Sequence, residues 1–560
     1  MTDNNKGIKY LPDAGLFVAV MLFFGILYGG HLAFQEQYQL FEWTSGYFAS
    51  VVASPGGFAD WCGRLLTQFF VFPWIGAALI ALCLVLVRWL CFISFGRESR
   101  LGCVLGYLPP VLLIGYLLDS AALMGGVAAV MLSLAAALAV RAISCGKLRT
   151  MLVLVLSPVM YFAVGPLGIL FPIMASRGES CVVRIAAALL FVASPFVASL
   201  WCHYPLKDLL AGVHYYRLPH NIVWTLWIPA VLIVVADSYV PKLRFKKSLN
   251  ETVAVIVTSL VIVAVAVLAA VEKADWEGEE LMTYDRLVVL EDWDGVADLA
   301  SRKAPDKPFS VCCLNLALAR QGQLGDKMFA YVQSGEKGLF PSYSISYTSL
   351  LPTSEVYRHL HLVNACQQYV FESQEAIPDF QKSARCYKRL AETNMLNGDN
   401  AVAAKYLGAL QNTLFYRGWA AERLSLLDKP SDRASRIADP HMLFNENDKA
   451  SMLLSLLEAD PDNEMALQYL VALKLLEKDA LGASSVIFYS GREQLPRHWQ
   501  EALIMSCVEQ KADLASLPSS VSKENISRMM NFISDMQKRV SGKIMQKKYG
   551  DTFWYYCIYR

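Results

Sequence analysis

Charge is the first thing the chain is short of. Only 18% of its 560 residues are Asp, Glu, Lys or Arg, and the two signs cancel to a net +1. A disordered chain needs the opposite balance, so that class is excluded, as are collagen and coiled coil. The thirteen cysteines include no C-x-x-C pair and no Cys/His set at zinc spacing, and they are too dilute for a small disulfide scaffold. His203, His214 and His220 do not repeat at the i, i+4 interval of a helical ligand pair. No Walker loop, dinucleotide fingerprint, Gly-x-Ser-x-Gly or His-Glu-x-x-His occurs. No metal site and no cofactor is expected, and no motif names a reaction.

What is abundant is apolar surface, 55% of the chain, and it is unevenly placed. Residues 1–271 hold 17 Lys+Arg and 11 Asp+Glu, whereas residues 272–560 hold 33 and 38. The first part has membrane composition and the second soluble composition. An acidic soluble part argues against nucleic acid. The expected fold is all-α, a multipass transmembrane helical domain over 1–271 followed by a tetratricopeptide-like helical repeat domain over 272–560.

A bilayer core of about 30 Å takes about 20 apolar helical residues. Eight segments qualify: 14–33, 69–95, 101–118, 121–140, 151–175, 182–201, 222–239 and 253–271. The first is read as a retained helix, because no small-residue cleavage site follows it before Gln35. Lys6 and Lys9, Arg97 and Arg100, and Arg141, Lys147 and Arg149 place the N-terminus in the cytoplasm, with an amphipathic external loop over 35–68. Simple counting then puts the basic loop Lys242, Arg244, Lys246 and Lys247 outside, against the rule. The segment 151–175 resolves the conflict. Pro158, Gly165-Pro166, Gly168 and Pro172 punctuate it, so it reads as re-entrant rather than as one kinked crossing. The basic loop then returns to the cytoplasm, and the last helix exits into the periplasm of a bacterial inner membrane.

From Glu272 onward, amphipathic helices alternate with Gly, Asp, Asn and Pro. Among them are Phe309–Gln321, Ser354–Glu372, Phe380–Asn397, Ala401–Leu414, Glu464–Glu477 and His498–Gln510. Turns at Asp326, Asp399 and Asp479 stand 73 and 80 residues apart, near twice the about 34 to 40 residues of a helical hairpin repeat. The alternative is an irregular helical bundle.

Several stretches together carry a resemblance: Gln35-Glu36-Gln37-Tyr38-Gln39-Leu40-Phe41, Pro55-Gly56-Gly57, Thr67-Gln68-Phe69-Phe70, Tyr204-Pro205-Leu206-Lys207-Asp208, Tyr215-Tyr216-Arg217 and Thr413-Leu414-Phe415-Tyr416-Arg417. With these the chain resembles, over nearly its whole length, an uncharacterised family of Bacteroidetes membrane proteins. That resemblance implies a multipass region paired with helical repeats and implies no activity.

Candidate catalytic residues are Glu36, just past the first helix, and Asp60 in the same loop, near Arg64. Membrane glycosyltransferases that use lipid-phosphate sugars have a similar layout, in which such a carboxylate serves as general base or metal ligand. The plainer reading, which the sequence favours, makes both residues interfacial and Trp43, Tyr47 and Trp61 an aromatic belt. Lys207, Tyr216 and Arg217 are candidates for gripping a lipid phosphate, Arg217 in bidentate fashion. Asp119 and Asp237 end hydrophobic runs and are expected at the surface. The leading functional expectation is a membrane-tethered interaction protein, with the bilayer and a protein partner bound through the repeats. An enzyme acting on a lipid-linked substrate comes second and a transporter third.

Overall fold

The computed structural model describes residues 10–95, 100–212, 216–217, 223–242, 250–341, 347–378, 381–427 and 448–560. Lys6, Lys9, Arg97, His214, Tyr215, His220, Arg244, Lys246 and Lys247 lie outside them. Every regular element among the described residues is helical, with one isolated antiparallel bridge between Ala122 and Arg217. The chain divides into two compact units. The first joins residues 1–279 to two later stretches, Ile377–Arg385 and Gly408–Ala420; the second takes the rest.

Five helices of the first unit are long and apolar enough to cross a membrane: Pro73–Phe95, Met124–Arg141, Gly146–Val164, Cys181–Ala198 and Val255–Lys273. A sixth candidate is a broken pair, Leu11–Leu27 and Gly29–Glu36, bent by 78°. Leu101–Leu117, Pro166–Ala175 and Trp224–Tyr239 are shorter apolar helices. These spans mark a membrane protein by length and composition. Along the last helix, Val253, Val257, Val261, Val265 and Leu268 form one face and are each more than half exposed. In water that stripe would be costly, whereas in lipid it meets its own kind. The opposite requirement, close packing, falls to small residues. A Cβ on Gly63 would lie 2.2 Å from the Gly125 nitrogen, so helices Gly57–Thr67 and Met124–Arg141 meet backbone to backbone.

The proline- and glycine-broken segment folds back on itself. Gly146–Val164 ends at Gly165, whose φ of 77° suits glycine. A 3₁₀ turn over Pro166–Ile169 and the helix Leu170–Ala175 follow. Arg149 Nε then lies 2.6 Å from Glu179 Oε1, and Thr150 Oγ1 donates to Glu179 Oε2 at 2.8 Å. Both ends of the segment therefore meet, and the segment is a hairpin of two helices rather than one kinked helix. The hydrogen bond from Arg149 holds the Glu179 carboxyl below the usual carboxylate range.

The second unit is built on a core running from Tyr284 to Tyr556, in which Trp499, Trp554 and Tyr469 are fully buried. Four of its helix starts share one chemistry. Asp292, Asp448, Asn463 and Asp479 each accept from the backbone N–H three residues on, satisfying donors that a first turn leaves open. Lys449–Ala459, Glu464–Leu476, Ala480–Tyr489 and Arg497–Glu509 pack each against the next. Of the three expected turn markers, Asp479 caps a helix, Asp399 directly precedes Asn400–Gln411, and Asp326 accepts from the Arg497 N–H at 2.7 Å. The expected single helix Ser354–Glu372 is instead two, Tyr347–His359 and Val363–Ala376, separated where His361 adopts φ 66°.

Candidate functional site

All five residues singled out in the sequence fall in the first unit. Glu36 closes the helix Gly29–Glu36, and the 78° bend before that helix strands its first N–H groups. A remote carboxylate supplies the missing acceptor: Gly30 and His31 donate to Glu279 Oε1 and Oε2 at 2.7 and 2.8 Å. Its negative charge also suits the positive end of the helix dipole. The Glu36 carboxylate itself is buried at 3% exposure. Tyr416 Oη donates to it, at 3.0 Å from Oε1 and 3.2 Å from Oε2, and Gln37 Nε2 donates to Oε2 at 3.2 Å. Burial, then the adjoining carboxylate, pushes the Tyr416 phenol well above its ordinary range.

Tyr416 belongs to one of the two late stretches of this unit. Those stretches complete the loop after Glu36: Leu40 donates to the Lys382 carbonyl at 2.9 Å and Trp43 to the Asn412 carbonyl at 2.7 Å. Lys382 pairs with Glu42 at 3.1 Å, and Phe415 meets Phe69 and Phe72 edge-on at 5.6 and 5.5 Å. A buried loop must satisfy its own backbone, and this one does so through residues more than 300 positions away.

Asp60 is one turn from Arg64, which contacts Asp60 Oδ2 through Nε at 2.9 Å and Nη2 at 2.5 Å. Tyr47 accepts from Arg64 Nη1 at 3.4 Å and donates to the Leu40 carbonyl at 3.0 Å. Arg217 Nε lies 2.5 Å from Asp119 Oδ2. Tyr216 is buried, its hydroxyl donating to the Val164 carbonyl at 2.7 Å and accepting from the Leu167 N–H at 3.0 Å. It thereby straddles the break at Gly165, and its own carbonyl accepts from Leu123 N–H and Tyr116 Oη. Lys207 is exposed on the short helix Leu206–Ala211.

Residues flanking Glu36 and Arg217 converge on one turn. Tyr28 donates to the Leu118 carbonyl at 3.1 Å, Tyr38 to that of Ser120, and Gln35 to that of Ala122 at 3.1 Å, while Arg217 reaches Asp119. Glu36 and Arg217 are thus brought to the same end of the unit, but each charge meets its own internal partner. No cluster of three or more His, Cys, Asp or Glu fit to hold a metal occurs among the described residues.

Elsewhere in the unit the structure corrects an expectation. Asp237 is not at the surface: it is 2% exposed, because two helices and the turn after a third bring donors to it. Ser94 Oγ donates to Oδ1 at 2.5 Å, Arg141 Nη1 at 2.8 Å, and Arg177 Nη1 lies 3.3 Å away and also donates to the Asp237 carbonyl. Beside them opens a cavity of about 790 Å³ that Arg184 also lines. Nothing in the sequence marks this set except three arginines at the ends of apolar runs.

The second unit holds a buried ion network that periodicity does not reveal. Glu355, fully buried, receives Arg389 in bidentate fashion, Nε to Oε1 and Nη2 to Oε2, both at 3.0 Å. Arg358 adds a 3.0 Å contact to Oε2 and reaches Glu291 at 2.6 Å. No curated protein and no solved structure matches the chain. Residues 7–560 match the family of unknown function DUF6057, and the chain belongs to that family.

Proposed function

We propose that the protein is a multipass protein of a bacterial inner membrane that presents a tetratricopeptide-like helical domain to a protein partner. The observation that carries this reading is the run of four helices from Lys449 to Glu509, each packed on the next, the first three started by side-chain caps of one kind at Asp448, Asn463 and Asp479. Such stacking is how hairpin repeats build an extended binding surface. One helix of the run, Ala480–Tyr489, leaves Leu481, Phe488 and Tyr489 exposed at 46, 61 and 76%, the kind of apolar and aromatic surface that anchors a partner.

In this reading the N-terminus is cytoplasmic and the repeat domain periplasmic. The hairpin closed by Arg149 and Glu179 supports that side, since it crosses the bilayer no net times. Glu36, Asp60 and Arg217 fasten loops rather than perform chemistry, each being held by Tyr416, Arg64 or Asp119.

The test is a photo-crosslinking amino acid placed at Phe488 or Tyr489 of the full chain in membranes. The expected result is a discrete adduct with one protein, lost when Phe488→Ser and Tyr489→Ser are combined at a neighbouring probe position. Crosslinking to none, or equal crosslinking from the loop site Lys511, would overturn the reading.

A further inference from the structure

We propose that the cavity lined by Arg141, Arg177 and Arg184 in the first unit binds a phosphate group, the chemistry shared by an anionic phospholipid headgroup and a soluble phosphate monoester. Charge comes first. Three guanidinium groups and one carboxylate, Asp237, line a space of about 790 Å³. A fourth arginine, Arg149, pairs at 2.6 Å with Glu179, whose charge also reaches Arg184, so that four guanidinium groups face two carboxylates. The cavity therefore keeps an excess of positive charge at the end of apolar helices, where bulk water is a poor substitute for a counter-ion.

Donor capacity comes second. Arg141 uses Nη1 for Asp237 and Ser94, and Arg177 uses Nη1 for Asp237. A guanidinium carries five N–H donors, so each retains others. Arg184 is exposed on the first turn of Cys181–Ala198 and makes no ion pair among the described residues. Three partly engaged arginines around one space suit a tetrahedral oxyanion, which takes bidentate contacts from several sides. Asp237 does not repel such a guest decisively. It is buried, and its Oδ1 is already covered by Ser94 and two of the arginines.

The walls come third. Pro172, Ile173 and Ala188 line the same cavity, and Ile185 and Leu189, on the helix of Arg184, are 55 and 63% exposed. A polar floor with apolar flanks fits a headgroup whose acyl chains lie along the helix.

The experiment uses the full chain purified in a mild detergent, with native mass spectrometry counting bound molecules. The probes are phosphatidylglycerol, diacylglycerol with the same chains but no phosphate, and inorganic phosphate. The wild type is expected to retain phosphatidylglycerol over diacylglycerol. Arg184→Gln should weaken that binding about fivefold at unchanged melting temperature, the side chain being exposed. Arg184→Glu should weaken it further, and Arg177→Gln should also weaken it, with Arg141 still holding Asp237. If millimolar inorganic phosphate fails to displace the lipid, the headgroup is the source; if it displaces the lipid and itself raises the melting temperature, a soluble phosphate is. Equal retention of phosphatidylglycerol and diacylglycerol, or equal binding by wild type and the arginine variants, overturns the proposal.

Discussion

The Tyr416 hydroxyl lies 3.0 Å from Glu36 Oε1 and 3.2 Å from Oε2, joining residues 380 positions apart inside one compact unit. A buried carboxylate without donors is costly, and among the described residues only this phenol and the Gln37 side chain donate to the Glu36 carboxylate. Tyr416→Phe should therefore destabilise the first unit by about 1–3 kcal/mol, the cost of leaving a buried acceptor unmet. Glu36→Gln keeps an acceptor for the phenol and should cost less than Tyr416→Phe. Thermal melts of the full chain in detergent check the order. If Glu36→Gln proves the more damaging of the two, the carboxylate charge is doing something that fastening the loop does not explain.

The second prediction concerns the returning segment. Cys145 and Cys181 flank it and are both exposed, at the level where Arg149 meets Glu179. Single-cysteine proteins with either thiol should react with a membrane-impermeant maleimide from the same side of a sealed vesicle. Labelling from opposite sides would mean that 146–175 crosses once, and the periplasmic placement of the repeat domain would lose its support.

How much of this was legible depended on distance along the chain. The long apolar runs fix the helices Pro73–Phe95, Met124–Arg141 and Cys181–Ala198 because each is a local signal. The fold-back at Gly165-Pro166 was legible for the same reason, the breakers lying together in sequence. Ser354–Glu372 was misread as one helix because its apolar spacing continues through the turn, and nothing in the residue type warns that His361 takes a left-handed backbone. Asp237 is buried against expectation because its donors, Ser94, Arg141 and Arg177, all lie far from it in sequence. Tyr416 was visible only as one letter of a shared motif. The late stretch Gly408–Ala420 that holds it carries no local mark of belonging to the first unit with Glu36.

A third prediction tests the ion network of the second unit. Arg389 spans both oxygens of Glu355, and both residues are buried. Arg389→Met removes the bidentate donor from the buried Glu355 charge, and should destabilise the second unit by about 3–5 kcal/mol. Arg389→Lys restores charge without the planar fork and should recover only part of that loss. Replacing the pair together, Arg389→Met with Glu355→Leu, should cost less than Arg389→Met alone, because no unpaired charge remains. Urea unfolding followed by tryptophan fluorescence separates the three.

The last prediction is a pH dependence set by His359. This residue ends the helix Tyr347–His359, is 6% exposed, and lies edge-on to Trp293 with ring centroids 5.2 Å apart. Its Nε2 is 3.0 Å from Arg358 Nη2. Arginine can only donate, so Nε2 must accept and the ring must be neutral with its proton on Nδ1. Burial, then the adjoining Arg358 charge, lowers the imidazole from 6.5 to about 3. Because the folded value lies below the unfolded one, the unfolded chain binds the extra proton throughout that interval. The neutral-ring contribution is complete above pH 6.5 and falls as pH drops towards 3. Between pH 7.5 and 5 the loss should be on the order of 2 kcal/mol. Burial raises the neighbouring Glu291 carboxyl, but Arg358 outweighs it and holds that group below its ordinary range, so Glu291 stays ionised across the window. The protection of Tyr347–His359 against hydrogen exchange, corrected for the intrinsic rate at each pH, should fall over this range in the wild type. In His359→Gln, which keeps an acceptor for Arg358 but does not titrate, most of that slope should vanish; an undiminished slope would place the pH response on other groups.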